Sequence, residues 1–176
     1  MEGWEKKNQF EKGSIFSAIK YGGPKGAWAK LERGEITLEE FYQPFAEELS
    51  ALMKDKEITP EIVEQFMTTL MKSLSKTDED MMDAIQKLKD QGVKLAVLTN
   101  NWKSDKFGKL IFDQTHLFDH IVESCVVGMR KPEPEIYHYT LEKLGVDGHE
   151  AVFLDDIPVN LVPAEKLGIT TIKVNF

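Results

Sequence analysis

The sequence predicts an α/β protein, a doubly wound parallel sheet preceded by an α-helical segment. From residue 77 onward, short apolar runs alternate with amphipathic helical stretches, the order expected of strand–helix–strand units. The run Ala151-Val152-Phe153-Leu154 lacks polar alternation, as expected of a parallel strand buried on both faces. Before residue 77 only helical spacing is found.

In the first part, Leu38, Phe41, Tyr42, Phe45, Leu49 and Leu52 follow a helical period, with Thr37 as N-cap and glutamates in the first turn. Pro44 falls inside that helix and is expected to kink or divide it. Thr59-Pro60-Glu61 opens the next helix, whose stripe is Ile62, Phe66, Met67, Leu70, Met71 and Leu74. Such stripes are read as core. The glycine-rich stretch Tyr21 to Gly26 lacks the Gly-Lys-Ser/Thr ending of a phosphate loop and follows no strand, so it is read as a turn.

In the second part, Thr77 and the acids Asp78, Glu79 and Asp80 begin a helix with Met81, Ile85 and Leu88 as its buried face and Gly92 as its cap. Val93–Leu98 is a strand, Ser104–Gln114 contains a helix, and Ile121–Ser124 is a short strand. Residues 128–134 hold two prolines and form a loop. The helix at 134–144 turns Ile136, Tyr137, Leu141 and Leu144 inward and is capped by Gly145. A strand ending at Asp155, a short helix near 160–167 and a final strand over Ile169–Val174 complete the chain.

The charged fraction of 30% and hydrophobic fraction of 41% describe an ordinary globular chain, and the net charge of −8 argues against nucleic acid or an anionic membrane as partner. A single cysteine, Cys125, cannot form an internal disulfide, which favours a reducing, cytoplasmic setting. No signal-type segment or membrane span is read.

Three polar groups terminate the strands. Thr99 and Asn100 follow one, Lys131 lies in the proline loop, and Asp155-Asp156 with Asn160 follows another. The carboxyl ends of parallel strands share one edge, where such sheets bind ligands. Adjacent carboxylates need a cation, Mg²⁺ or a lysine, to offset their repulsion. A hydroxyl and an amide, a point positive charge and a metal-binding carboxylate are what phosphoryl transfer requires.

The segments Leu95–Asn100, Val122–Cys125, Gly128–Tyr137 and Val152–Asn160 resemble the haloacid dehalogenase superfamily, in particular its phosphatase domains fused to epoxide hydrolases and acyl-CoA dehydrogenases. The resemblance implies a helical cap subdomain over residues 1–76 and an α/β core over 77–176. It implies that Thr99 binds the transferring phosphoryl group, Asn100 orients substrate or phosphate, and Lys131 steadies it. Asp155 would pair with Lys131, Asp156 would ligate Mg²⁺, and Asn160 would support the metal shell from behind. The implied substrate is a small phosphate ester.

The family's nucleophile is an aspartate in an Asp-x-Asp-Gly motif closing the first, central strand. No aspartate precedes Asp55 here and no apolar strand precedes Trp4. The expectation is therefore a sheet lacking its central strand and impaired catalysis; the open edges then close on one another, border water, or are covered by a partner chain or dimer. The alternative is a non-catalytic remnant binding a phosphate compound or a protein. A dehalogenase is disfavoured by the same missing aspartate. A zinc site at His116 and His120 lacks an acidic ligand, and Cys125 is read as structural.

Overall fold

A computed structural model describes residues 2–53, 56–73, 78–103 and 113–175. These form two compact units: residues 2–73 with 102–103, and residues 78–101 with 113–175.

The first unit is helical: α1 (Glu2–Lys7), α2 (Ser14–Gly22), α3 (Ala27–Glu32), α4 (Leu38–Leu52) and α5 (Pro60–Ser73). Glu5 of α1 is buried, and its carboxylate accepts from Gly13 N at 2.9 Å and Ile15 N at 3.0 Å, satisfying orphan donors at the start of α2. The N-cap predicted at Thr37 is present as a capping box: Thr37 Oγ1 accepts from Glu40 N, and Glu40 Oε2 accepts from Thr37 N at 2.8 Å. α4 runs through Pro44 without division. Pro44 lies on the exposed side, where water can take the carbonyl that loses its partner.

The core of this unit is aromatic. Trp28 is its hub, with ring centroids 5.8 Å from Phe41, 5.6 Å from Phe45 and 6.0 Å from Trp102. Its indole N–H donates to Glu32 Oε1 at 2.9 Å, so burial of both costs little polar free energy. The glycine-rich stretch forms a tight turn whose following residue, Ala27, donates its N–H to Glu48 Oε1 at 2.8 Å.

The second unit contains α6 (Glu79–Asp90), β1 (Ala96–Thr99), β2 (His120–Glu123), α7 (Ser124–Val127), α8 (Pro134–Leu144), β3 (Val152–Asp155), α9 (Pro158–Lys166) and β4 (Thr170–Lys173). Asp78 caps α6 by accepting from Met81 N at 2.9 Å. β1 pairs β2 in parallel, with Leu98 opposite Val122, and β3 pairs β4 in parallel, with Leu154 opposite Ile172. Among the described residues the two pairs are not joined to each other, so β1 and β3 each present an unpaired edge. Asp119 fastens the start of the first pair, accepting from Leu95 N and from Lys89 Nζ, each at 2.8 Å.

Val122, Ile136, Tyr137, Ala164 and Ile169 form the buried core, with Leu98 and Phe153 packed against it. α8 and α9 therefore cover the face carrying Leu98, Val122 and Phe153. The other face of the β3–β4 pair is bare. Val152 is 57% exposed, Leu154 46% and Ile172 47%, which corrects the expectation of strands buried on both faces. The same correction applies to α6: none of its residues is buried, and Leu88 is exposed. An apolar stripe records which face seeks a partner, not whether one is there.

The predicted segment Ser104–Gln114, together with Leu74 and Thr77, lies almost wholly outside the described residues, and Asp113–Leu117 forms a short 3₁₀ turn. Ser124, read as the end of a strand, instead opens α7. No described helix is long and apolar enough to cross a membrane.

Candidate functional site

Of the residues singled out at the strand ends, Asn100, Lys131, Asp155 and Asn160 fall into one hydrogen-bonded group, with Thr99 and Asp156 next to it in the chain. β1 delivers Thr99 and Asn100, and the Asn100 side chain holds the Lys131 backbone from both sides. Its Oδ1 accepts from Lys131 N at 2.8 Å, and its Nδ2 donates to Lys131 O at 2.9 Å. This amide does for Lys131 what a neighbouring strand would do. The Lys131–Pro132 peptide is cis.

With its backbone fixed, Lys131 reaches β3. Its Nζ donates to Asp155 Oδ2 at 2.7 Å, with side-chain exposures of 12% and 4%. Asp155 Oδ1 accepts from Ile157 N at 2.8 Å and Asn160 Nδ2 at 3.0 Å. Both carboxylate oxygens are occupied, which is how a charge is kept in a buried position. The Lys131 ammonium also lies 5.5 Å from the centre of the Phe153 ring.

Asp156, the next residue, is exposed. The two adjacent acids thus divide: Asp155 turns inward to lysine and amides, while Asp156 faces solvent. Asn160 is buried against Asp155, behind the turn that carries Asp156. A single outward carboxylate at a strand end suits Mg²⁺, which keeps several waters and takes one or two carboxylates plus phosphate oxygens. Asp156 would hold the ion, with Asn160 bracing the turn.

Two groups carry structure that the sequence reading did not assign. Asn101 donates its N–H to Ser124 Oγ at 2.9 Å and its Nδ2 to Glu123 Oε2 at 3.0 Å, and its Oδ1 accepts from the Cys125 thiol. These bonds tie the end of β1 to the end of β2. Tyr137, read only as an inward residue, donates its hydroxyl to Asn160 O at 2.6 Å. Burial, and secondarily the Asp155 carboxylate, push its phenol above the ordinary tyrosine range, Arg130 opposing. A tyrosine at an otherwise apolar helix position was the one available signal.

Among the described residues, the one group of three potential metal ligands is Asp147, His149 and Glu150, all exposed. Asp147 and Glu150 are already engaged with each other's backbone as a capping box. His116 and His120 are not part of it.

The haloacid dehalogenase-like hydrolase family pattern matches residues 28–174. The chain is 35% identical over 173 residues to acyl-CoA dehydrogenase family member 10 of Mus musculus, and 35% over 179 residues to bifunctional epoxide hydrolase 2 of Sus scrofa. These alignments take in 98% and 97% of this chain but 16% and 32% of the relatives, so the chain spans a third or less of either protein. In three dimensions it resembles a haloacid dehalogenase family enzyme of Bacteroides thetaiotaomicron solved with magnesium and inorganic phosphate. The TM-score is 0.63 at 24% identity, over 94% of this chain and 86% of that one. The parallel strand pairs, the link from Asn100 through Lys131 to Asp155 and the family match over most of the chain lead to one assignment: this chain belongs to the haloacid dehalogenase-like hydrolase family.

Proposed function

We propose that the chain is a phosphatase-type scaffold of this family that holds a small phosphate ester and Mg²⁺ at the carboxyl ends of β1 and β3. One observation carries the reading: Asn100, Lys131 and Asp155 lock each other across two unpaired strand pairs, with the outward carboxylate of Asp156 next in the chain. Thr99 and Asn100 bind and orient the phosphoryl oxygens, and Lys131 offsets their charge. Asp155 fixes the ammonium, Asp156 ligates the metal, and Asn160 supports that turn. Bound Mg²⁺ would neutralise charge on the phosphoryl oxygens. The neighbour crystallised with magnesium and phosphate supports this chemistry by analogy of fold. The helical residues 1–76 are proposed as the cap subdomain, and 77–176 as the core.

The family's chemistry starts from an aspartate nucleophile, and the sequence holds none before Asp55. The residues present therefore bind and polarise, but covalent catalysis needs a group they do not supply. Hydrolysis of an aryl phosphate with Mg²⁺ tests this. The chain alone should show no turnover, and a version extended by a strand ending in Asp-x-Asp-Gly should gain turnover that Asp156→Ala and Lys131→Ala remove. Inactivity of the extended version would sink the catalytic reading.

A second reading has its own observation. The unpaired edges of β1 and β3 and the exposed Val152, Leu154 and Ile172 form a surface suited to a partner chain or a second copy. Light scattering over a concentration series would detect a dimer. The single buried cysteine and net charge of −8 fit a cytoplasmic protein that binds no nucleic acid.

A further inference from the structure

We infer that Tyr137 is a positioning residue for the metal carboxylate: its hydroxyl, bonded to Asn160 O, sets the turn that presents Asp156. The inference rests on the metal reading of Asp156 above. The turn from Asp155 to Asn160 is held at three points. Asp155 Oδ1 takes Ile157 N and Asn160 Nδ2, and Asn160 N donates to Ile157 O at 2.9 Å. All three are internal to the turn, so they fix its shape but not its place on the rest of the unit. Lys131 Nζ on Asp155 Oδ2 and Val174 N on Asp155 O anchor the Asp155 end from outside, and Tyr137 supplies the outside anchor at the Asn160 end. It comes from α8, is 1% exposed, and packs its ring edge-on to Phe153 at 5.5 Å and 90°. The ring on Phe153 and the hydroxyl on Asn160 thus reference the turn to β3 and α8 together.

A phenylalanine would fill the same volume and keep the contact with Phe153. The hydroxyl adds nothing to packing. Its partner, the Asn160 carbonyl, sits in the first turn of α9, so a second donor there goes beyond what the helix needs. Groups that orient a metal ligand through another residue typically change metal affinity about 10–100-fold when removed. Tyr137 acts one bond further out, and a loss of about 3–10-fold is expected.

The test is Mn²⁺ affinity by electron paramagnetic resonance, with and without inorganic phosphate, for the wild-type chain, Tyr137→Phe, Thr140→Val and Asp156→Asn. Thr140→Val deletes another hydroxyl on the same helix, bonded to Ile136 O at 2.7 Å and away from the turn. The expected result is weaker binding in Tyr137→Phe, wild-type binding in Thr140→Val, and none in Asp156→Asn. Equal affinity in Tyr137→Phe and wild type, or equal losses in Tyr137→Phe and Thr140→Val, would make the hydroxyl merely structural and overturn the inference. Absence of Mn²⁺ binding by the wild type, or full binding by Asp156→Asn, would instead overturn the metal reading and the inference with it. A Mg²⁺ titration of the wild type, followed at the Asn160 side-chain amide, needs no substitution. The resonance moves with metal occupancy if turn and site are one unit, and a stationary resonance overturns the inference.

Discussion

Replacing Lys131 by methionine tests the link that ties the two strand pairs together. The substitution keeps the length of the side chain and removes its charge, leaving Asp155 without its cation at 4% side-chain exposure. Removing one member of a buried pair commonly costs about 3–5 kcal/mol, most of it the penalty of the stranded charge. Asp155 still receives Ile157 N and Asn160 Nδ2, so the loss should fall near about 3 kcal/mol. Adding Asp155→Asn to Lys131→Met should recover about 1–2 kcal/mol, since the amide oxygen still accepts from both donors and no charge remains. Urea unfolding should be followed by far-UV circular dichroism. The three tryptophans, Trp4, Trp28 and Trp102, all belong to the helical unit, so their fluorescence reports the wrong part of the molecule. A Lys131→Met variant within about 1 kcal/mol of wild type, or a double variant less stable than the single, would refute the argument.

In the helical unit, Glu5→Ala strips two buried N–H groups of their acceptor and should cost about 2 kcal/mol, readable as a lower urea midpoint of tryptophan fluorescence. Asp119 has its carboxyl held below the ordinary range, first by Lys89 and then by Leu95 N. Its contribution to stability is present above the ordinary carboxylate pKa and is lost as pH falls through the lowered one. An NMR titration should show that low value in wild type and a rise in Lys89→Met. The Tyr137 phenol is raised, so its contribution is intact below about pH 10 and falls as pH climbs further. Alkaline melts should show a steeper decline for wild type than for Tyr137→Phe.

Much of the second unit could be read from residue pattern because its elements are short, strongly marked and locally determined. Pro134 and Gly145 bracket α8 at the residues expected, since proline at the first position and a left-handed glycine after the last are local steric facts. The apolar lead into Asp155 marked β3 for the same reason. Burial was less legible. Val152, Leu154 and Leu88 have the residue types of covered positions, yet their cover depends on chain elements beyond their own neighbourhood. The site was legible as a set of residue types at strand ends, but not as a network. That Asn100 would bind the Lys131 backbone, and that Tyr137 would reach the Asn160 carbonyl, depends on loop paths between residues 23 or more positions apart.

On the proposed function, the strand ends bind a phosphoryl group together with a divalent cation. Calorimetric titration of inorganic phosphate into the chain, with and without Mg²⁺, addresses it most directly, repeated on Asp156→Asn and Lys131→Met. Phosphate binding that requires Mg²⁺, and that is lost in both variants, is the predicted result. Binding indifferent to Mg²⁺, or unchanged in Asp156→Asn, would contradict it.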